Sequence, residues 1–441
     1  MQQTAVPGQP TQTASAKPLP SEQTAQGAGN AAANTGANVR GRGRRGARDA
    51  VRTMDSEDAF AVRSDAGSVL YADEPLFADD RRIARRKYVI CLIILVICAF
   101  ISMCVDYTSR TFRSPVEVFQ GLGTGISLLF TQIFQPASYA DAHVDALLNI
   151  PYYGEVVQQA ANTLKFGVCG ILLAISGMLY QNAFRNPIAA PSMLGVTNGI
   201  NFAVLVLVMQ FGYMAYQHID LYYLYSYIGG ALVLLLVMLG GKWTSRKGGF
   251  NVVNMILIGT IVSQLLGIVI TFVQNNFLTD SDWEAYNNLV QAVGVQSPWM
   301  YISLVVGALV GIIPIILFRF RMNLVSFSDE ETRLLGVDPT KLRLLALGCG
   351  SLMILTAQVN IGQVAMMSLV VPFVVRAVFG AEFRKQLVGN ILVGAILLIV
   401  CGMLSQFIVI AGLAAGMGAI TTIIALPLFV WMIAIRQRSW D

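Results

Sequence analysis

The sequence predicts an all-α, polytopic membrane protein with about ten transmembrane helices. Three observations predict it. Only 12% of the 441 residues are charged, against about 25% in a soluble domain, while 55% are hydrophobic and the mean hydropathy is +0.61. The charge is also unevenly placed: residues 1–87 hold 13 of the 30 Lys and Arg and 10 of the 25 acids. Beyond residue 87 the apolar positions gather into ten runs, each about as long as the roughly 20 residues a helix needs to cross a bilayer.

Residues 1–87 are rich in Ala, Gly, Gln, Thr and Ser, and they cannot bury enough apolar surface to offset ordering entropy. A disordered cytoplasmic tail is expected there, with basic blocks at Arg40–Arg52 and Arg81–Lys87. The second block abuts the first apolar run and reads as a topology signal. No nucleic-acid partner is implied, and no cleavable signal peptide precedes the first run. The ten runs cover about 88–106, 163–181, 194–214, 220–240, 252–273, 298–318, 343–360, 363–379, 387–409 and 416–435.

With the N-terminus inside, the outside loops hold only Arg110, Arg113 and Lys165, and the other 14 cations of the body fall inside. That bias puts both termini in the cytoplasm and the chain in the plasma or inner membrane as a multi-pass protein. The outside segment 107–162 contains an apolar stretch, Val116–Phe134, interrupted by Gly121, Gly123 and Gly125. It reads as an interfacial or partly re-entrant helix rather than an eleventh crossing.

Several chemistries find no support. No GxxxxGK[ST] loop occurs, so nucleotide hydrolysis by that route is not expected on this chain. The six cysteines show neither CxxC nor metal spacing, and His143 and His218 stand far apart, so no metal site is expected. Essentially no charge lies within the spans, where each would cost about 2.5–3.5 kcal/mol. That lowers the standing of an ion-coupled carrier.

The loop after the sixth run is the most informative inside stretch. Ser328 with Glu331 has capping-box spacing, Gly336 suits a left-handed helix end, and Asp338-Pro339 suits a new helix start. Two short helices joined by a Gly-Val corner are predicted, a compact knob suited to docking a motor subunit. The second run carries Gly170, Ala174 and Gly177 on one small-residue face. It is followed by Gln181-Asn182-Ala183-Phe184-Arg185-Asn186-Pro187-Ile188-Ala189-Ala190-Pro191-Ser192-Met193-Leu194-Gly195.

At Gly170–Gly199 the chain resembles the FecCD family, the permease subunits of ABC importers for ferric siderophores, haem and cobalamin. The family pattern is met at Ser176, Gly177, Gln181, Arg185, Asn186, Pro187, Ala189, Pro191, Leu194 and Gly195, and later at Gly362, Leu369, Pro372, Arg376 and Gly380. The coupling-loop pattern is similar to Arg333–Val337. The resemblance covers about 88–436 and implies a type II ABC importer permease, a ten-span domain over 88–441 with a cobalamin-permease-like fold.

It further implies a dimer with a second copy or a paralogue, two cytoplasmic ATPase subunits and an extracytoplasmic substrate-binding protein. The chain itself would be no enzyme and would hold no cofactor, ATP and Mg²⁺ belonging to the ATPase. Glu331, Arg333, Leu335 and Gly336 would lie at the ATPase contact. The arginines with which family members dock the binding protein fall here on Gln159 and Asn162, with Lys165 as a partial substitute. The family's histidine after Pro372 is Phe373, and its Asp…Arg pair of the ninth span falls on Gly402 and Gln406. The polar in-span residues Asn254, Gln264 and Gln406 are the candidates for a translocation path. The expected function is import of an iron chelate (a ferric siderophore) or a related metal chelate such as haem or cobalamin, with an ion-coupled transporter of a small organic solute as the alternative.

Overall fold

The computed structural model describes residues 75–106, 111–134, 143, 146, 152–244, 252–291, 297–326, 329–364, 366–410, 413–414 and 416–438. The chain divides into two units, Met1–Asp79 and Asp80–Asp441. Of the first unit only the opening residues of helix α1 are described, so the tail expectation over 1–74 lies outside the described residues, as does Ser328.

Helix α1 spans Pro75–Cys104. It begins well before Tyr88, which corrects the tail boundary: residues 75–87 are helical. Pro75 is the first residue of the helix, and nothing but helix-compatible residues follows to Cys104. A two-residue hairpin, β1 Val105–Asp106 and β2 Thr111–Phe112, pairs Val105 with Phe112. Helix α2, Pro115–Phe134, follows and is not among the helices long and apolar enough to cross a membrane.

Helix α3, Tyr153–Phe184, is 32 residues long, about 48 Å at 1.5 Å per residue, against a hydrocarbon core of about 30 Å. Its first turns carry α1 and α2. Ser102 Oγ and Thr163 Oγ1 are hydrogen-bonded at 2.9 Å, and Gln159 Nε2 donates to Ser102 O at 3.0 Å. Arg113 pairs with Glu155 and lies over the Tyr152 ring.

After a 3₁₀ turn at Pro191–Leu194 come α4 Val196–Phe211, a second 3₁₀ turn, α5 Ile219–Trp243, α6 Val252–Phe277 and α7 Asp280–Gln291. Then follow α8 Pro298–Leu317, α9 Arg319–Met322, α10 Asp329–Leu334, α11 Pro339–Ile361 and α12 Met367–Phe379. The chain closes with α13 Phe383–Phe407, the hairpin β3 Val409–Ile410 and β4 Leu413–Ala414, and α14 Met417–Arg438.

Among the described residues, eight helices have spanning length and composition: α1, α3, α4 with its 3₁₀ extension, α5, α6, α8, α11 and α13. The eighth and tenth predicted runs hold shorter apolar helices, Met367–Phe379 and Met417–Val430. At 13 residues, α12 is about 20 Å long, too short to cross alone.

The centre of the bundle is α3 with α11. Both bury 78% of their apolar window, whereas α1 and α6 bury 11% and expose rows of Ile, Leu and Val to the surroundings. Small residues let the central helices meet. Gly170 of α3 abuts the Gly394 backbone of α13, and a Cβ on Gly170 would stand 2.9 Å from Leu398 Cβ. Gly199 of α4 and Gly229 of α5 pack the same way. Such approach is how helices associate where lipid gives no hydrophobic drive.

Candidate functional site

The residues singled out in α3 form a polar seam in a dry core. Ser176 Oγ donates to Gly350 O of α11 at 2.6 Å, and Tyr180 OH bonds Ser351 Oγ. Gln181 Nε2 donates to Leu369 O of α12 at 2.9 Å. Arg376 Nη2 donates to Asn182 Oδ1 at 2.9 Å. Gly177 faces the Ser368 backbone so closely that no Cβ fits between them. These bonds hold α11 and α12 at fixed depth along α3.

The end of α3 is shaped by Arg185. Asn186 N–H bonds Gln181 O at 3.1 Å and Arg185 N–H bonds Asn182 O at 3.2 Å, the two reverse bonds of a left-handed helix end. Arg185 itself takes φ 50°, a region that costs a non-glycine residue about 1–2 kcal/mol. Its Nε reaches Val325 O at 3.5 Å. Asn186 Oδ1 then accepts Ile188 N–H at 3.0 Å, and Asn186 O accepts Ala189 N–H at 3.1 Å, a turn with Pro187 at its second position. Pro191 opens the 3₁₀ turn, and Gly195, φ 77°, ends it beside Gly259 and Ser263 of α6.

These turns bring helix starts into the middle of the bundle. Ser368 lies against Gly177, eight residues before Arg185, so α12 begins about 12 Å from the end of α3. Gly195 lies against Gly259, seven residues into α6, so α4 also starts at about 11 Å depth. Between α11 and α12 the chain breaks at Gly362, whose φ 73° and ψ −158° only glycine tolerates. A Cβ there would stand 2.6 Å from the carbonyls of Val290 and Gln291 in α7.

The starts of α4, α12 and α14 border an open cavity of about 820 Å³. Ser192, Thr197, Asn198, Ser263, Gln363 and Thr422 give its wall polar groups, beside Val364, Met366 and Ile423. Asn198 Nδ2 is held by Ser263 O at 2.8 Å and Ser263 Oγ at 2.7 Å. The first N–H groups of a helix lack intrahelical acceptors and carry partial positive charge. Three such ends around one cavity suit an anionic or acceptor-rich solute, the arrangement seen where broken helices meet a transported ligand. Gln291 of α7 lies against both chain breaks, its carbonyl at Gly362 and its Oε1 at Gly416. In α7, burial pushes the Tyr286 phenol above its usual pKa, so it stays neutral.

The second feature lies at the end of the bundle that carries Arg185. Helix α10 ends in a left-handed turn at Gly336, φ 77°: Val337 N–H bonds Thr332 O at 3.2 Å and Gly336 N–H bonds Arg333 O at 2.9 Å. Thr332 is buried and its Oγ1 donates to Leu324 O at 3.1 Å. Asp338 Oδ1 accepts Thr340 N–H at 2.9 Å with Pro339 at the first helical position. The expected second short helix is instead the start of α11, because no Gly or Pro interrupts 340–347. The knob is therefore joined directly to a central helix. Glu331, Arg333, Leu335 and Gly336 are all exposed on it. Leu334 is 87% exposed and Leu335 62%.

The other sequence candidates fall elsewhere. Gln159 and Lys165 are buried, with 3% and 2% of their surface accessible. They offer no docking surface to a soluble partner, which corrects that expectation: α3 starts ten residues earlier than its apolar run, and α1 covers Gln159. Asn162 is half-buried. Asn254, Gln264 and Gln406 do not line the cavity; Gln264 is exposed, and its neighbour Ser263 takes the inward position. Gly380, φ 93°, closes α12 in open space, and Pro372 is buried inside that helix.

The sequence matches the model of the FecCD transport family over residues 159–435, well over half of its length. The chain belongs to the FecCD transport family. It is thus a transport permease, a multi-pass membrane protein built from apolar helices. Among its relatives, the hemin transport system permease protein HmuU of Yersinia pestis is 30% identical over 278 residues, 62% of this chain and 80% of that one. The "Probable heme-iron transport system permease protein IsdF" of Staphylococcus aureus (strain Newman) is 30% identical over 61% of this chain and 79% of that one. The "Probable iron chelatin transport system permease protein" of Helicobacter pylori (strain ATCC 700392 / 26695) is 27% identical over 60% and 77%. A solved chain described as "An inward-facing conformation of a putative metal-chelate type ABC transporter" shares the fold. It superposes with a TM-score of 0.60 at 21% identity over 79% of this chain and 99% of that one. For this FecCD member the family match thus covers the long helix α3, the mid-bundle breaks and the α10 knob together.

Proposed function

We propose that the chain is the permease subunit of an ATP-binding-cassette importer for a metal chelate, a ferric siderophore or haem. The observation that carries the reading is the mid-bundle cavity ringed by the starts of α4, α12 and α14. Its size lies within the 300–1,000 Å³ range of small-molecule sites. The carboxylate- or hydroxamate-bearing rims of iron chelates are acceptor-rich, and helix N-termini favour such groups. The names of the relatives favour the same cargo.

The motor is a separate ATPase, holding ATP and Mg²⁺, docked on α10 at the cytoplasmic end. Closure of two ATPase subunits moves α10; the Gly336 turn and the Asp338 cap pass that motion to α11. The Ser176–Gly350 bond passes it to α3, and the Gln181–Leu369 and Asn182–Arg376 bonds to α12, whose N-cap residue Met366 borders the cavity. A second permease copy or paralogue completes the path, and an extracytoplasmic binding protein delivers the chelate. Both termini are cytoplasmic on this reading.

The test is uptake into sealed vesicles holding the chain with its ATPase and a binding protein. Iron supplied as a siderophore or as haem should accumulate only with ATP on the ATPase side. Uptake driven by a proton gradient without ATP would reject the reading in favour of an ion-coupled carrier.

A further inference from the structure

At the α10 end of the bundle, α8 runs directly into α9, and α13 begins beside it. Asn323 Oδ1 accepts Phe383 N–H at 2.9 Å, which pins the two elements together. Three guanidinium groups gather at this corner on two exposed aromatic rings. Arg319 and Arg384 lie over the same Phe320 ring, 5.0 and 5.3 Å from its centroid. Arg321 lies over Phe318 at 5.8 Å. None of the three forms an ion pair among the described residues, and Glu382 is already held by Lys385 at 3.1 Å. Arg319 Nε is buried with no hydrogen-bond partner among the described residues.

The aromatic rings favour these cations, yet they leave three like charges at one corner with no ion-pair partner among the described residues. An anion with several acceptor oxygens answers both needs, because the guanidinium fork matches phosphate oxygens. What lies beside the corner says which anion. The exposed face of α8, a helix of spanning length, runs through Ile313, Ile316 and Leu317 straight to Phe320. Exposed apolar surface on a helix of spanning length therefore continues to the arginines.

We propose that this corner binds the head group of an anionic phospholipid, its phosphate among Arg319, Arg321 and Arg384 and its acyl chains along α8. The site goes beyond the transport reading, since it needs neither the cargo nor the motor. A basic corner between helices at a bilayer surface is a setting in which anionic lipid is held.

The experiment uses the full chain, purified in detergent and stripped of lipid, with unfolding followed as dioleoyl-phosphatidylglycerol or dioleoyl-phosphatidylcholine is added. Phosphatidylglycerol should raise the melting temperature in a saturable way and phosphatidylcholine should not. In R319Q/R321Q/R384Q the midpoint of that response should move to concentrations on the order of a hundredfold higher, each cation near an anionic surface contributing roughly fivefold. K242Q, a charge change elsewhere, should leave the midpoint in place. Should the triple variant not fold, R319K/R321K/R384K keeps the charge but loses the planar fork, and a weaker response to phosphatidylglycerol is again expected. Equal responses to both lipids, or an unchanged midpoint in the substituted chain, would overturn the proposal. So would a triple variant that keeps its lipid response but no longer co-purifies with an ATPase, which would make the corner a protein contact.

Discussion

Replacing Leu334 and Leu335 by aspartate is expected to abolish ATP-dependent transport while the permease stays folded. The two leucines, the last residue of the six-residue helix α10 and the first of the turn after it, are 87% and 62% exposed, and their side chains contribute little to the fold. Exposed substitutions of that kind change stability by about 0.5 kcal/mol or less. Against a docked partner the sum is different. Burying each leucine is worth about 1.5–3 kcal/mol, and two carboxylates in the same apolar contact add a desolvation cost. A loss on the order of a thousandfold in affinity for the ATPase follows. Co-purification with the ATPase reports the contact, and a thermal melt reports the fold. A double variant that still binds the ATPase would place the motor elsewhere on the chain. Gly336→Ala should do less, since it adds only about 1–2 kcal/mol of strain at φ 77°.

The largest effect on the fold is expected at Gly177. Its Cα lies against the backbone of Ser368, a neighbour that cannot rotate away as a side chain does. Gly177→Ala must therefore push the start of α12 off α3. That breaks the register of the Gln181–Leu369 and Asn182–Arg376 bonds. Overpacking of a well-packed contact costs about 1–3 kcal/mol and occasionally more, and this contact is backbone on backbone. The melting temperature in detergent should fall by many degrees, and any folded remainder should transport poorly because α12 borders the cavity. Gly348→Ala is the matched control. That glycine has nothing within 4 Å, so the change should be neutral or stabilise by up to about 1 kcal/mol through helix propensity. Equal effects at the two positions would contradict the packing described.

Much of the bundle was legible because a bilayer imposes length and apolarity on every crossing helix. Each of the ten runs holds a helix, and the left-handed end at Gly336 and the cap at Asp338 appear where the turn chemistry put them. What stayed hidden depends on partners distant in sequence. Gln159 was placed at a docking surface by alignment with the family's arginines; on α3 it is buried, and its side chain bonds Ser102 on α1. Gln264 was one position from the truth: a helix turns about 100° per residue, and Ser263, not Gln264, faces Asn198. Arg185 in a left-handed conformation had no glycine to announce it. The depth of α12 did leave a trace, since 363–379 was among the shortest runs and follows Gly362. Read as a half-length helix, it would have pointed to the cavity.

The central claim is that solute crosses through the cavity between the starts of α4, α12 and α14. Its most direct test is Thr422→Cys, with the six native cysteines replaced, labelled in vesicles by a small charged thiol reagent. Thr422 lines the cavity near the first turn of α14. The account predicts rapid modification despite the mid-bundle depth, loss of ATP-dependent uptake once modified, and protection by transported chelate. A cysteine that is not modified, or one fully modified while uptake continues unchanged, would contradict it.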